Sequence, residues 1–342
     1  MIYISSESMD GAFHFASEEY VIEGMKPGSP VFMLWRTDRT VMLGANQVAE
    51  AEVDLPYAAA RGIAVVRRSS GGGAIYTDPG ALLYTIILPF TERTDTKAVI
   101  EEYLAGPVID ALGSMGVAAS LEGRNDILVG GKKISGIAQY IRDGYLCSHG
   151  SLLFDADLAE LARVLTVDDE KIVSKALRSI RSRVTNIAPH LPEYGGAAVG
   201  AATDAQPHIQ AFIGRLRASW NGAFGLSPYE FTDGEMDEIA MIRAEKYASD
   251  RWTFGRAPRY SYRHSTRFPG GSVEVFADIK GGVIEQVKIV GDFLALRPVE
   301  ELECRFVGVP FRAEALSRAI SEYDVIRTLG SITKDELLSV FT

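Results

Sequence analysis

Cysteine is scarce, two in 342 residues. Cys147 and Cys304 show no metal-ligand spacing, which argues against a disulfide scaffold or a cysteine-rich metal module and suits a reducing compartment. An excess of positive charge is also missing: 35 Lys and Arg stand against 45 Asp and Glu, a net charge of −10. A polymeric nucleic acid wants a basic face, so it is not expected as the main partner. Long apolar runs are absent; the longest, residues 81–90, is about half of the ~20 residues a membrane span needs. The first seven residues lack the basic start and apolar core of a signal peptide. The expectation is a soluble cytoplasmic protein with no membrane and no nucleic acid among its partners.

At 342 residues the chain exceeds one domain of ordinary size, and two are expected. Its 47% hydrophobic and 23% charged residues are the make-up of a folded protein. Residues 31–35, 40–43, 63–67 and 81–88 read as strands. Apolar residues at helical spacing predict a helix over 97–112, with a kink or break at Pro107. Gly130-Gly131 and Asp143-Gly144 are hairpin signals joining strands 127–129, 133–140 and 145–154. Helices are expected at 158–165 and 208–224, and residues 191–206, rich in Gly and Ala, read as a loop. Past Tyr247 the character changes: strands 271–279 and 283–290 precede terminal helices at 314–320 and 334–340. The pattern predicts an α+β fold, a mainly antiparallel mixed sheet with flanking helices, plus a small α/β accessory domain. The boundary is drawn between 1–245 and 246–342.

Three stretches carry chemistry. In Arg67-Arg68-Ser69-Ser70-Gly71-Gly72-Gly73 a strand runs into bare glycines, whose amides can form an anion-holding concavity. The two arginines offer fork-shaped donors for carboxylate or phosphate. This is no P-loop, because Gly131-Lys132 is followed by Lys133. It is no dinucleotide fingerprint either, because Tyr76 stands where the third glycine belongs. In Gly123-Arg124-Asn125-Asp126 the acid can hold magnesium bridging phosphates. A lysine from the next strand can neutralise an α-phosphate and an attacking carboxylate together. The third stretch pairs Cys147 and His149, on one side of a strand, with the basic run Lys171, Lys175, Arg178, Arg181 and Arg183, a positive patch in an acidic chain. Taken singly, each has an ordinary structural reading: a glycine bulge, a turn cap, a core histidine, a solvated face.

In order along the chain these segments resemble the lipoate–protein ligase family. The resemblance rests on Trp35 with Thr40-Val41-Met42-Leu43-Gly44 and Gln47; RRSSGGGAIYTD from Arg67; GRNDI from Gly123; GKKISGIAQ from Gly131; HGSLL from His149; and KALRSIRSRVTNI from Lys175. Lys246-Tyr247, Trp252-Thr253-Phe254-Gly255 and Gly291-Asp292-Phe293 resemble the family's C-terminal accessory domain. The resemblance implies an ATP- and Mg2+-dependent enzyme that converts lipoate, or octanoate, to an acyl-adenylate. It then passes the acyl group to a lysine of a lipoyl carrier domain, such as those of 2-oxoacid dehydrogenase E2 subunits or the glycine cleavage H protein. By position it implies Lys133 as the central catalytic lysine. Arg68, Gly73, Ala74, Ile75, Tyr76, Asn125 and Lys133 would lie along the nucleotide, and Asp126 would be at the metal. Trp35, Arg68, Ser70 and His149 would be around the acyl group.

Two departures stand out: Thr77 where the family usually has histidine, and Gly80-Ala81-Leu82-Leu83 where an asparagine-containing stretch is usual. Three rivals remain. Cys147 beside His149 would suit a cysteine-dependent octanoyl or lipoyl transferase. A biotin–protein ligase shares the fold, and a non-catalytic acyl- or nucleotide-binding protein would retain the site without turnover.

Overall fold

In a computed structural model of the chain, residues 1–165, 182–192, 205–255, 261–280 and 282–341 are described. Lys171, Lys175, Arg178 and Arg181 of the basic run, and most of the Gly/Ala-rich stretch 191–206, lie outside the described residues.

Among the described residues, eleven strands belong to the first unit: β1 (Ile2–Ser5), β2 (Val31–Trp35), β3 (Thr40–Leu43), β4 (Ala64–Arg67), β5 (Ile75–Thr77), β6 (Ala81–Pro89), β7 (Ala119–Glu122), β8 (Asp126–Val129), β9 (Lys132–Arg142), β10 (Tyr145–Leu153) and β11 (Ser227–Tyr229). Eight form one sheet in the order β11-β1-β2-β6-β10-β9-β8-β7, and β4-β3-β5 form a second. β1 runs parallel to β2 and β11, and every other pairing in the large sheet is antiparallel. The mixed, mainly antiparallel sheet expected from the sequence is therefore present.

β6 is buried along all but its last residue because both faces of the sheet are covered. On one face the helices Gly106–Ser114 and Ala205–Phe224 pack on Phe32, Tyr84 and Ile86, with Trp220 stacked on Phe32 at 4.7 Å. On the other lies α1 (Gly11–Tyr20), which the sequence reading missed. Both hairpin turns have two consecutive residues at positive φ, Gly130-Gly131 (56°, 72°) and Asp143-Gly144 (46°, 78°), the geometry that matches strand twist. The expected break at Pro107 takes the form of widened turns over Ile100–Ala105, with Pro107 in the first turn of the helix that follows.

The second unit is a small antiparallel sheet, β12 (Tyr262–Phe268), β13 (Gly271–Lys280) and β14 (Val283–Gly291), backed by short helices around its own core of Val275, Ile289, Phe306 and Leu337. Residue 245 falls inside the helical turn Arg243–Tyr247, and Tyr247 and Trp252 pack in the α1 cluster. On that packing we propose that the junction lies between Gly255 and Ser261, later than the sequence boundary. The seam between the units combines side-chain contacts, Arg124 with Ser331 and Glu92 with Arg327 and Arg297, with main-chain bonds. Gly72 N–H donates to Phe293 O at 2.9 Å, Ile141 N–H to Leu296 O at 2.8 Å, and Gly291 N–H to Asn46 O at 2.9 Å.

Candidate active site

A cleft of about 610 Å3, open to solvent, lies between the glycine bend and β9. Arg68, Gly72 and Gly73 line one side, Asn125 and Lys133 the other, and Trp35 and His149 the floor.

The arginines behave differently from the sequence expectation. Arg67 is fully buried, and its guanidinium donates to the carbonyls of Gly44 (2.7 Å), Gln47 (2.7 Å) and Thr253 (2.6 Å). It fastens the helix Asp250–Phe254 to the β3 loop and offers nothing to a ligand. Arg68 reaches the cleft, but it donates to Gly71 O (2.7 Å), Gly73 O (2.8 Å), Met42 O (3.0 Å) and Ser70 Oγ (3.0 Å). Its fork holds the bend in shape, and what remains for an anion is its charge and the second Nη1 hydrogen. Burial, with Arg67 beside it, brings its pKa down to about 10, so it stays protonated at neutral pH.

The glycines also divide. Gly72 sits at φ 90°, a conformation that L side chains rarely adopt. A Cβ on Gly71 would lie 2.5 Å from Phe293 O and 2.8 Å from Ala295 N. These two are glycine because the accessory chain passes against them. Gly73 has nothing within 4 Å of a Cβ and faces the cleft. Beyond it, Ala74 and Tyr76 point into the Val41–Leu43 cluster, and only Ile75 turns its side chain to the cleft.

Lys133 owes its direction to a bulge. The register between β8 and β9 shifts at Ile127/Leu128, pairing Ile127 with Ser135 but Leu128 with Lys133. In an unbroken strand Lys133 would share a face with Ser135 and Ile137; the bulge breaks that parity. Its amine lies over Gly136, where a Cβ would come within 2.7 Å, and pairs with Asp126 Oδ1 at 2.8 Å. Both side chains are about two-fifths exposed, 40% and 37%. Asn125 donates from Nδ2 to Ile137 O at 2.6 Å, which leaves its oxygen as the free acceptor. At the end of the basic run, Val184 bridges to the Lys133 backbone and Thr185 N–H donates to Lys133 O at 3.0 Å. Asn186 clamps Ala156 through both its amide groups.

Ser70 is not at the cleft surface: it is buried behind His149, with its Oγ 2.6 Å from His149 Nε2. Thr77, at the departure from the family pattern, bonds Thr37 Oγ1 at 2.7 Å, fully buried and off the cleft. Cys147 shares a side of β10 with His149, as expected, but is wholly enclosed. Burial and the neighbouring Glu18 carboxylate push its thiol well above the ordinary range. With His149 and Glu18 it forms the one group among the described residues with metal-like donors, and all three are buried.

Sequence reasoning missed α1 and Leu294. Phe15 and Leu294 line the cleft, and His14 stacks on Trp35 at 4.5 Å. His14 donates from Nε2 to Ser8 O at 2.8 Å, while its Nδ1 is buried without a partner. Burial lowers its pKa below the usual 6.5. The unfolded chain then binds that proton more readily, so this contribution to stability is present above pH 6.5 and is lost as pH falls. Thermal unfolding should show a Tm that drops between pH 7.5 and 5.5, with a shallower drop in His14→Phe. Equal slopes for the two proteins would remove His14 as the cause.

The cleft thus sets one lysine, an acid–amide pair and a glycine bend over an apolar floor, an arrangement for joining a carboxylate to a phosphate. Residues 10–206 match the family model described as the lipoyl protein ligase A/B catalytic domain. Residues 257–341 match the bacterial lipoate protein ligase C-terminus. The chain belongs to the lipoate–protein ligase family. It is 33% identical to the Bacillus subtilis (strain 168) lipoate-protein ligase LplJ over 341 residues, 99% of each chain. Among solved structures it is similar to the Thermoplasma acidophilum bi-partite lipoate protein ligase, described with its E2 lipoyl domain. That match has 26% identity and TM-score 0.63, over 76% of this chain and 98% of that one. It is similar also to lipoate-protein ligase A bound with ATP, with 26% identity and TM-score 0.59, over 75% of this chain and 98% of that one.

Proposed function

We propose that this lipoate–protein ligase activates lipoate with ATP in the cleft between the glycine bend and β9, and transfers the acyl group to a lysine of a lipoyl carrier domain. The observation that carries the reading is the convergence of Lys133, the Asn125-Asp126 pair and Gly72-Gly73 on a cleft whose floor is apolar. A carboxylate cannot acylate an amine until it has a good leaving group. A carboxyl oxygen of lipoate attacks the α-phosphorus, the bond to the β-phosphate oxygen breaks, and pyrophosphate departs. The carrier amine then attacks the acyl carbon, the bond to the AMP oxygen breaks, and the amine gives up a proton.

Lys133 would leave Asp126 for the α-phosphate and the acyl oxygen, where developing negative charge is greatest. Gly73 and the backbone to Tyr76 would follow the nucleotide, with Arg68 behind them as a fixed charge. Trp35 and His149 would wall the acyl chain. A magnesium ion fits the donors: Asp126 supplies a hard carboxylate and Asn125 a free amide oxygen, with room for phosphate oxygens. Asp126 would hold it, and the bound ion would offset charge on the phosphates.

Incubation with Mg-ATP and, in parallel, lipoate, octanoate or biotin tests the reading through pyrophosphate release. Release with lipoate or octanoate is expected; none with either would favour a binding protein without turnover, and release with biotin alone would favour the biotin ligase. Cys147 does not line the cleft. Cys147→Ser should therefore keep its ATP-dependent rate within about twofold, and a loss of transfer in that variant would instead support the cysteine route. E2 subunits and the H protein as carriers, and a cytoplasmic location, belong to the same proposal. No described helix is long and apolar enough to cross a membrane.

A further inference from the structure

The two polar rings in the floor of the cleft, Trp35 and His149, are bonded away from it, and their bonds lead to one carboxylate. Arg68 Nε–H donates to Ser70 Oγ at 3.0 Å, and Ser70 Oγ lies 2.6 Å from His149 Nε2. His149 Nδ1 lies 3.1 and 3.2 Å from the two oxygens of Glu18. Separately, Trp35 Nε1–H donates to Thr85 Oγ1 at 3.0 Å, and Thr85 donates to Glu18 Oε1 at 2.6 Å. Ser70 and Thr85 are fully buried, and Glu18 is 1% exposed.

The ends of the first chain fix its hydrogens, which geometry assigns through satisfaction of the whole network. Arg68 can only donate, so Ser70 accepts from it and has its own hydrogen to place. The acceptor within reach is His149 Nε2, which puts the ring hydrogen on Nδ1, facing Glu18. Any other assignment leaves a buried hydroxyl hydrogen without a partner, at a cost of about 1–3 kcal/mol. We infer that Glu18, a residue the sequence reading never singled out, is a positioning residue for the acyl pocket: it fixes the His149 tautomer and anchors Trp35, so that neither ring turns an unpaired donor or acceptor to the guest.

The consequence is selectivity. An acyl tail without hydrogen-bonding groups meets Phe15, Met42, Leu83 and Ile137 and asks nothing of the two rings whose bonds are already made. A guest bearing a ureido ring would bury its own polar groups against a wall whose bonds are already made, and would lose its bonds to water without replacement.

The inference rests on the ligase reading for its kinetic arm alone. In Glu18→Gln the amide can satisfy Thr85 or His149 as an acceptor, but its NH2 then faces the other. The expected result is a KM for lipoate raised tenfold or more, with the KM for ATP within about twofold, because Arg68 keeps its carbonyl bonds. Thr85→Val, which cuts only the Trp35 arm, should raise the lipoate KM and leave the His149 tautomer as it was. The tautomer is read directly from the imidazole nitrogen shifts of 15N-histidine-labelled protein. Nδ1–H is expected in the natural sequence, and a weakened preference for it in Glu18→Gln. An Nε2–H ring at His149 in the natural sequence, or an unchanged lipoate KM in Glu18→Gln, overturns the inference. A natural protein that releases no pyrophosphate with lipoate would end the ligase reading, while the nitrogen shifts would still decide the role of Glu18.

Discussion

Replacing Lys133 by alanine is expected to lower lipoate-dependent pyrophosphate release by about 10²–10³-fold or more, the scale found for deleting a donor aimed at transition-state charge. Nζ is the mobile cation of the cleft: it is two-fifths exposed, and its pairing with Asp126 is one that an incoming phosphate can replace. Exposed pairs of this kind contribute little to stability, about 0–1 kcal/mol, so the variant should unfold within a few degrees of the natural protein. A near-normal rate at saturating substrates would refute the assignment. A large fall in Tm would instead mean that the lost activity reported on the fold.

The second large effect is expected at Gly44, one turn away from the bend. A Cβ there would overlap the carbonyl oxygen of Gly72, well inside van der Waals contact, and both groups belong to backbone that cannot swing aside. Gly44 is also fixed from below, its N–H bonded to Gln47 Oε1 at 2.8 Å and its carbonyl to Arg67 at 2.7 Å. Gly44→Ala should therefore displace the bend and destabilise the fold by about 1–3 kcal/mol, the scale of overpacking a filled site. Gly73→Ala is the contrast: the position has open space around it. There the methyl enters the proposed nucleotide path, and the KM for ATP should rise with Tm unchanged. Denaturation curves beside ATP titrations separate the two. Equal behaviour of the variants would show that the bend is not held as described.

Much of the sheet was legible because its strands are apolar and its turns carry their chemistry in place, as at Gly130-Gly131 and Asp143-Gly144. The cleft was legible where motif and geometry coincide: Lys133, Asn125, Asp126, Trp35 and His149 do meet. What could not be read has physical causes. α1 buries Phe15 and Ala16 together with His14, Glu18 and Glu19, so it shows no apolar stripe of helical period. β12 is an edge strand, YRHSTRF, in which Arg263, His264, Ser265 and Arg267 are exposed and no apolar run appears. The arginines beside the glycines looked ready for a ligand because a sequence does not reveal which carbonyls a chain reversal leaves in need of donors. Leu294 reaches the cleft from a unit more than a hundred residues downstream of Lys133, with no local signal.

Main-chain groups close the join at Phe293 and Leu296, and this has a further implication. Each such bond is worth about 0.5–1.5 kcal/mol net, because water can take its place. An anion at the glycine bend competes for the same Gly72 amide that now serves Phe293, so loading the cleft and loosening the latch draw on one hydrogen. The tail unit keeps its own core when the latch opens.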